Sequence, residues 1–250
     1  MSVIASLADI EALESQPYAS LVPARSTYEL IALAARRFPQ REAFRYLPDG
    51  DLATRPRRIT YATLVDNINR AANLFRSLGV GPDDAVAILA PNMPETQYAL
   101  WGAQVAGRAC PINYLLQPDH IAVLLGASNA KLIVALGPND ELAIWPTVEK
   151  VRALCPLPVL QIRVDGQGGQ SGESTLPSDL IFQDQMSLQP TSILYSQLSN
   201  TLQNANHRVC ACFHTGGTTG APKLALHTHG NEVHTSTLAP LFYGFDERTV

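Results

Sequence analysis

Residues 213–231, Phe-His-Thr-Gly-Gly-Thr-Thr-Gly-Ala-Pro-Lys-Leu-Ala-Leu-His-Thr-His-Gly-Asn, hold the densest set of chemically useful groups in the chain. Three glycines and three threonines fall between Thr215 and Gly220, and Lys223 follows. Glycine lets a backbone turn tightly and approach a ligand closely. Successive N–H groups then make an anion-binding hollow, which hydroxyls can line and an ammonium can neutralise. Thr215, Gly216, Gly217, Thr218, Thr219, Gly220 and Lys223 are therefore candidate polyphosphate-binding residues. The same composition also suits an ordinary surface turn, so spacing and context must decide.

Two familiar nucleotide motifs fail the spacing test. A Walker loop needs Gly immediately before its lysine and Ser or Thr immediately after, the hydroxyl holding magnesium. Here Pro222 precedes Lys223 and Leu224 follows it. No Gly-x-Gly-x-x-Gly opens a helix in the first strand–helix unit, which excludes the dinucleotide fingerprint. His207, Cys210, Cys212 and His214 are soft ligands close together and raise the question of zinc. On a strand, however, Cys210, Cys212 and His214 share one face in a line, which is not a tetrahedron. Buried free cysteine also behaves as a small hydrophobe. No metal-ligand set is expected here. His227, His229 and His234 follow the loop; a histidine beside phosphate could donate a hydrogen bond or assist proton transfer, but more often such a residue is a surface or partly buried hydrogen-bonder.

The elements that must position this loop alternate between strand and helix. Ser26-Thr-Tyr-Glu29 has capping-box spacing, and Leu30, Ile31, Ala34 and Phe38 form a helical stripe that Pro39 ends. Residues 40–59 are basic and turn-rich, suggesting a short hairpin. Leu64, Ile68, Ala71, Phe75 and Leu78 recur at helical spacing, with Gly79 at the expected cap. Strands are expected at 85–89, 108–112, 131–135 and 158–164, with helices near 94–106, 118–127 and 140–154 between them. In the first of these helices, Tyr98, Trp101 and Val105 read as a core stripe. Residues 165–179, rich in Gly, Gln and Ser, read as a flexible linker, and 180–205 show no convincing period. A strand at 208–214 runs into the loop, and a strand at 224–228 and a helix at 229–242 follow it. The pattern predicts an α/β fold, a parallel sheet flanked by helices.

Composition narrows the function classes. With 46% hydrophobic and 16% charged residues among 250, the chain can build a sizeable core. A net charge of −4 argues against a nucleic-acid partner. No apolar run is long enough to span a bilayer, and the first ten residues lack the pattern of a secretory signal, so a cytoplasmic protein is expected. The four cysteines include no Cys-x-x-Cys pair, which gives no sign of a disulfide framework.

Thr215-Gly-Gly-Thr-Thr-Gly-Ala-Pro-Lys223 closely resembles the signature Thr-Ser-Gly-Thr-Thr-Gly-x-Pro-Lys of the AMP-forming adenylating enzymes, which include the acyl-CoA synthetases, the luciferases and the adenylation domains of peptide synthetases. His227-Thr-His-Gly-Asn231 is similar to the Leu-Thr-His-x-Asn that follows the lysine in that family. Upstream, residues 59–64, 81–89 and 91–95, Ala106-Gly107 and Cys110-Pro-Ile-Asn113 resemble its early segments, so the likeness covers residues 26–240. It looks most like a fatty-acyl or other acyl-CoA synthetase. The resemblance implies a carboxylate substrate, ATP, magnesium and CoA. It implies an acyl-adenylate and pyrophosphate first, then a thioester and AMP; loading of a carrier protein is an alternative. Thr215, Thr218 and Thr219 hydroxyls, loop N–H groups and Lys223 would hold the β- and γ-phosphates by positioning and charge.

Departures from the family pattern are few. Gly216 replaces the usual serine, Leu224 the usual glycine, and Cys212 a larger apolar residue. Length is the larger departure, since family members are about twice as long and this length suits one or two domains. The adenine-stacking segment, the ribose-binding aspartate and the C-terminal catalytic lysine are not found in these 250 residues. The expectation is therefore the N-terminal part of a longer synthetase, inactive by itself, or an interaction module if the protein ends there. Residues 1–205 would form a first subdomain of the large domain, and 206–250 the loop and the start of a second.

Overall fold

The computed structural model describes residues 4–22, 24–49, 51, 53–139, 141–163, 180–193, 205–215 and 222–245. Two short helices, α1 (Leu7–Glu14) and α2 (Tyr18–Leu21), precede the first expected one. That helix, α3 (Thr27–Arg37), begins where the Ser26 hydroxyl accepts the Glu29 N–H at 3.1 Å. The other half of the anticipated capping box is shifted by one residue, since Glu29 accepts from the Arg25 N–H at 2.6 Å. β1 (Glu42–Tyr46) and β2 (Arg57–Thr60) then pair antiparallel as the basic hairpin.

The apolar stripe of α4 (Tyr61–Ser77) is buried as its period demands, with Ile68 and Phe75 fully enclosed. Gly79 follows with φ at 86°, a left-handed turn that favours glycine. β3 (Ala85–Leu89) is buried at every residue, which requires cover on both faces of the sheet. α5 (Pro94–Ala106) starts on its proline and buries Tyr98 and Val105, while Trp101 is half-buried. At Gly107 an added Cβ would lie 2.5 Å from the carbonyl oxygens of both Gly81 and Asp84, so close backbone approach is what this glycine supplies.

β4 (Arg108–Pro111), α6 (Pro118–Ala127), β5 (Ala130–Leu136), α7 (Ile144–Leu154) and β6 (Val159–Ile162) follow the expected alternation. α7 starts at Ile144, later than the expected 140, because Asn139 caps the preceding turn by accepting the Glu141 and Leu142 N–H groups. The expected linker at 165–179 lies outside the described residues. β7 (Leu180–Ile181) and α8 (Phe182–Ser187) come next, and Phe182 stacks on Phe75 of α4 at 6.0 Å. After a 3-10 turn at Ala205–His207 come β8 (Val209–Thr215), β9 (Lys223–Thr228) and α9 (His229–Tyr243).

One seven-stranded sheet takes the order β7-β6-β5-β3-β4-β8-β9. Helices α3, α4, α5 and α8 pack as one group, and α6 and α7 pack as another. All neighbouring strands are parallel except β8 and β9. The connection 216–222 is too short for a crossover helix, so this last pair must be a hairpin. Residues 206–250, expected to open a second subdomain, place β8 and β9 in this same sheet, with Ala211 registered on Ala109 of β4.

Candidate phosphate-binding site

The C-terminal end of β8 carries the loop. Cross-strand pairing sets Thr215 directly opposite Lys223, His214 opposite Leu224 and Phe213 opposite Ala225. Thr215 and Lys223 are both exposed at the foot of the connection, so a hydroxyl and an ammonium stand on one side of the hairpin mouth. Gly216, Gly217, Thr218, Thr219 and Gly220 lie outside the described residues. Leu224, in the place of a glycine, is an ordinary strand residue packed against the core, and among the described non-glycine residues only Asn129 has positive φ.

His214, on the hairpin's own strand β8, anchors the mouth to the neighbouring strand. Its Nε2 accepts the backbone N–H of Asn113 at 3.1 Å, just beyond the end of β4. Cys212, two residues earlier on the same face, is buried in the core beside Cys110. Burial pushes the Cys110 and Cys210 thiols up to about 12 and raises Cys212, so all three are protonated packing groups. Among the described residues, no three His, Cys, Asp or Glu side chains converge as metal ligands.

The histidines after the loop separate into different roles. His227 Nδ1 lies 2.7 Å from Glu232 Oε1, and its ring meets Phe213 edge-on at 4.9 Å. His234 is exposed on α9. His229 is 1% exposed and sits at the other end of the hairpin from the loop. Arg208 Nη2 donates to its Nε2 at 2.7 Å, and Arg208 also donates to the carbonyls of Gly107 at 2.8 Å and Gln104 at 2.6 Å. A guanidinium can only donate, so Nε2 is the acceptor in that bond. Nδ1 lies 3.2 Å from the Thr27 hydroxyl, which donates to Gln104 Oε1 at 2.6 Å, and 3.4 Å from the Thr27 backbone N–H. Burial, then the Arg208 charge, pushes His229 down to about 3. His229 is a neutral staple joining α3, α5 and α9, and a role in proton transfer at the loop is not what its position serves.

Neither the His214–Asn113 bond nor the bonds from Arg208 to the Gly107 and Gln104 carbonyls were legible beforehand, because those partners are 101 or more residues apart. The hairpin itself carried a signal: two strands separated by a short Gly-rich connection.

The profile of the AMP-binding enzyme family matches residues 31–248. The chain belongs to this family. A marinolic acid–CoA ligase from Pseudoalteromonas sp. (strain SANK 73390) is 29% identical over 90% of this chain and 33% of its own length. A crotonobetaine/carnitine–CoA ligase from Salmonella paratyphi B is 31% identical over 70% of this chain and 31% of its own. The chain thus spans about a third of these curated relatives, less than the half anticipated. Among solved structures, an acyl-CoA synthetase from Brucella canis superposes with a TM-score of 0.71 over 92% of this chain and 40% of that one, at 20% identity. It shares the fold.

Proposed function

We propose that this chain supplies the phosphate-holding part of a cytoplasmic, ATP-dependent acyl-CoA synthetase whose substrate is a small carboxylic acid, fatty or otherwise. The observation that carries the reading is the pairing of Thr215 with Lys223 across the foot of the Gly- and Thr-rich connection. A carboxylate oxygen attacks the α-phosphorus of ATP, the bond to the β-phosphate oxygen breaks, and pyrophosphate leaves. Lys223 neutralises the leaving group, while Thr215, Thr218 and Thr219 hydroxyls and the N–H groups of Gly216, Gly217 and Gly220 hold its oxygens. Fixed donors of this kind act most strongly where charge develops in the transition state. The CoA thiol then attacks the acyl carbon and AMP leaves. CoA is favoured over a carrier protein because both curated relatives described above are CoA ligases. Magnesium is the expected counter-ion of ATP, and among the described residues no set of carboxylates converges to hold it.

The test is ATP–pyrophosphate exchange with a panel of carboxylates, then CoA against a carrier protein as acceptor, on the longest polypeptide the gene encodes. Lys223→Ala should weaken ATP binding about ten- to hundredfold, the worth of one charge-assisted contact. Unchanged ATP affinity in that variant would remove the loop from the reaction.

A further inference from the structure

Among the described residues β9 is the last strand of the sheet, so β8 alone ties Thr215 and Lys223 to the parallel strands. β8 registers on β4 at Ala211 and Ala109. Past that rung β4 runs short of backbone donors. Its Arg108 and Ile112 N–H groups turn the other way, donating to the Asp84 carbonyl at 2.9 Å and the Ile88 carbonyl at 3.0 Å on the β3 side. Alternate residues face opposite neighbours, so residues 109, 111 and 113 face β8. Pro111 has no N–H to give. The next donor on that side, Asn113, meets the His214 imidazole at 3.1 Å in place of a main-chain carbonyl.

The anchor point is itself held. Asn113 Oδ1 accepts the Leu115 N–H at 2.9 Å, and the Asn113 carbonyl accepts the Leu116 N–H at 3.1 Å, which closes a turn. Carrying the Ala109–Ala211 register on to the end of β8 sets Asn113 level with Thr215. The imidazole of the preceding residue fills that rung, so a side chain stands where the ladder would otherwise need an acceptor. The turn after β4 thus grips the residue before Thr215. Through the pairing of Thr215 with Lys223 it also sets the strand that carries the ammonium. Groups placed in advance bind a ligand without the cost of gathering them.

We propose that His214 is a positioning residue for ATP: its ring acceptor fixes the end of β8 against the Asn113 turn, and so fixes where Thr215 and Lys223 meet the phosphates. The inference rests on the phosphate-holding reading of the loop. It is tested by isothermal titration of ATP into the longest polypeptide the gene encodes, with His214→Leu, His214→Gln and Lys223→Ala beside the unaltered protein. Leucine fills similar space without an acceptor and should weaken ATP binding roughly three- to tenfold, the worth of one hydrogen bond. Glutamine restores an acceptor at similar reach and should bring affinity back to within about twofold. Melting temperatures separate position from stability. A lower melting temperature for His214→Leu with unchanged ATP affinity makes the bond merely structural and overturns the proposal. Equal weakening in His214→Leu and His214→Gln overturns it too. His214→Asn, polar but shorter, should behave as His214→Leu and replaces it if that variant does not fold; failure of both to fold makes His214 a folding residue and also overturns the proposal. Weakening by Lys223→Ala with none by His214→Leu removes the positioning role alone, whereas unchanged affinity in Lys223→Ala removes the loop reading and this inference together.

Discussion

His229 makes the folded chain sensitive to acid in a way that can be measured separately. Free histidine takes up a proton near pH 6.5, whereas His229 in its buried place beside Arg208 is pushed down to about 3. Between those values the unfolded chain binds a proton that the folded chain refuses. Stability from this group is therefore complete above about pH 6.5 and is lost as pH falls towards 3. The loss amounts to about 2 kcal/mol between pH 7 and pH 5, and to roughly 1.4 kcal/mol for each further unit. Urea denaturation at both pH values measures it, and His229→Gln supplies the reference because it cannot titrate. Surface carboxylates contribute equally to both proteins and cancel. The variant will be less stable at pH 7, since the Arg208 and Thr27 contacts are remade imperfectly, but its stability should fall by about 2 kcal/mol less on acidification. The imidazole resonances of His229 should also stay unshifted over that range. Equal pH slopes for the two proteins, or a His229 ring that titrates near pH 6.5, would refute the buried neutral staple.

Two further perturbations test the packing. Gly102→Ala on α5 sets a Cβ 2.6 Å from the Ala71 Cβ and 3.0 Å from the Ala72 backbone nitrogen on α4, so the helices must separate; a loss of about 1–3 kcal/mol is expected despite alanine's better helix propensity, read as a lower denaturant midpoint. Of the four cysteines, Cys110, Cys210 and Cys212 are buried with raised thiol pKa values, and only Cys155 is partly exposed. Intact mass after iodoacetamide at about pH 7.5 should show one adduct on the native chain and four after denaturation; early loss of Cys110 or Cys210 would contradict their burial.

The parallel core was legible because its signals are local. Leu64, Ile68, Ala71 and Phe75 announce one buried helix face, and the unbroken apolar run Ala85–Leu89 announces a strand covered on both sides. β7 and α8 were not legible, since two strand residues and a six-residue helix are too short to display a period. At the site, residue types and spacing identified Thr215 and Lys223, while their position opposite each other came from the hairpin pairing. His229 reads as more often a hydrogen-bonder than a proton carrier, but its partner Thr27, 202 residues away, could not be named from the sequence. Long-range burial of this kind has no periodic signature.

The hairpin that carries the loop also ends the sheet. β9 is six residues long, stands last in the strand order and leaves Leu226 56% exposed. Among the described residues the opposite edge, β7, is two residues long. An extended edge strand with an apolar side chain invites backbone pairing with another chain. In concentrated solutions of this 250-residue chain, edge-to-edge association will start at β9, the strand that also holds Lys223 opposite Thr215. Self-association and access to the phosphate loop are thus tied to the same six residues.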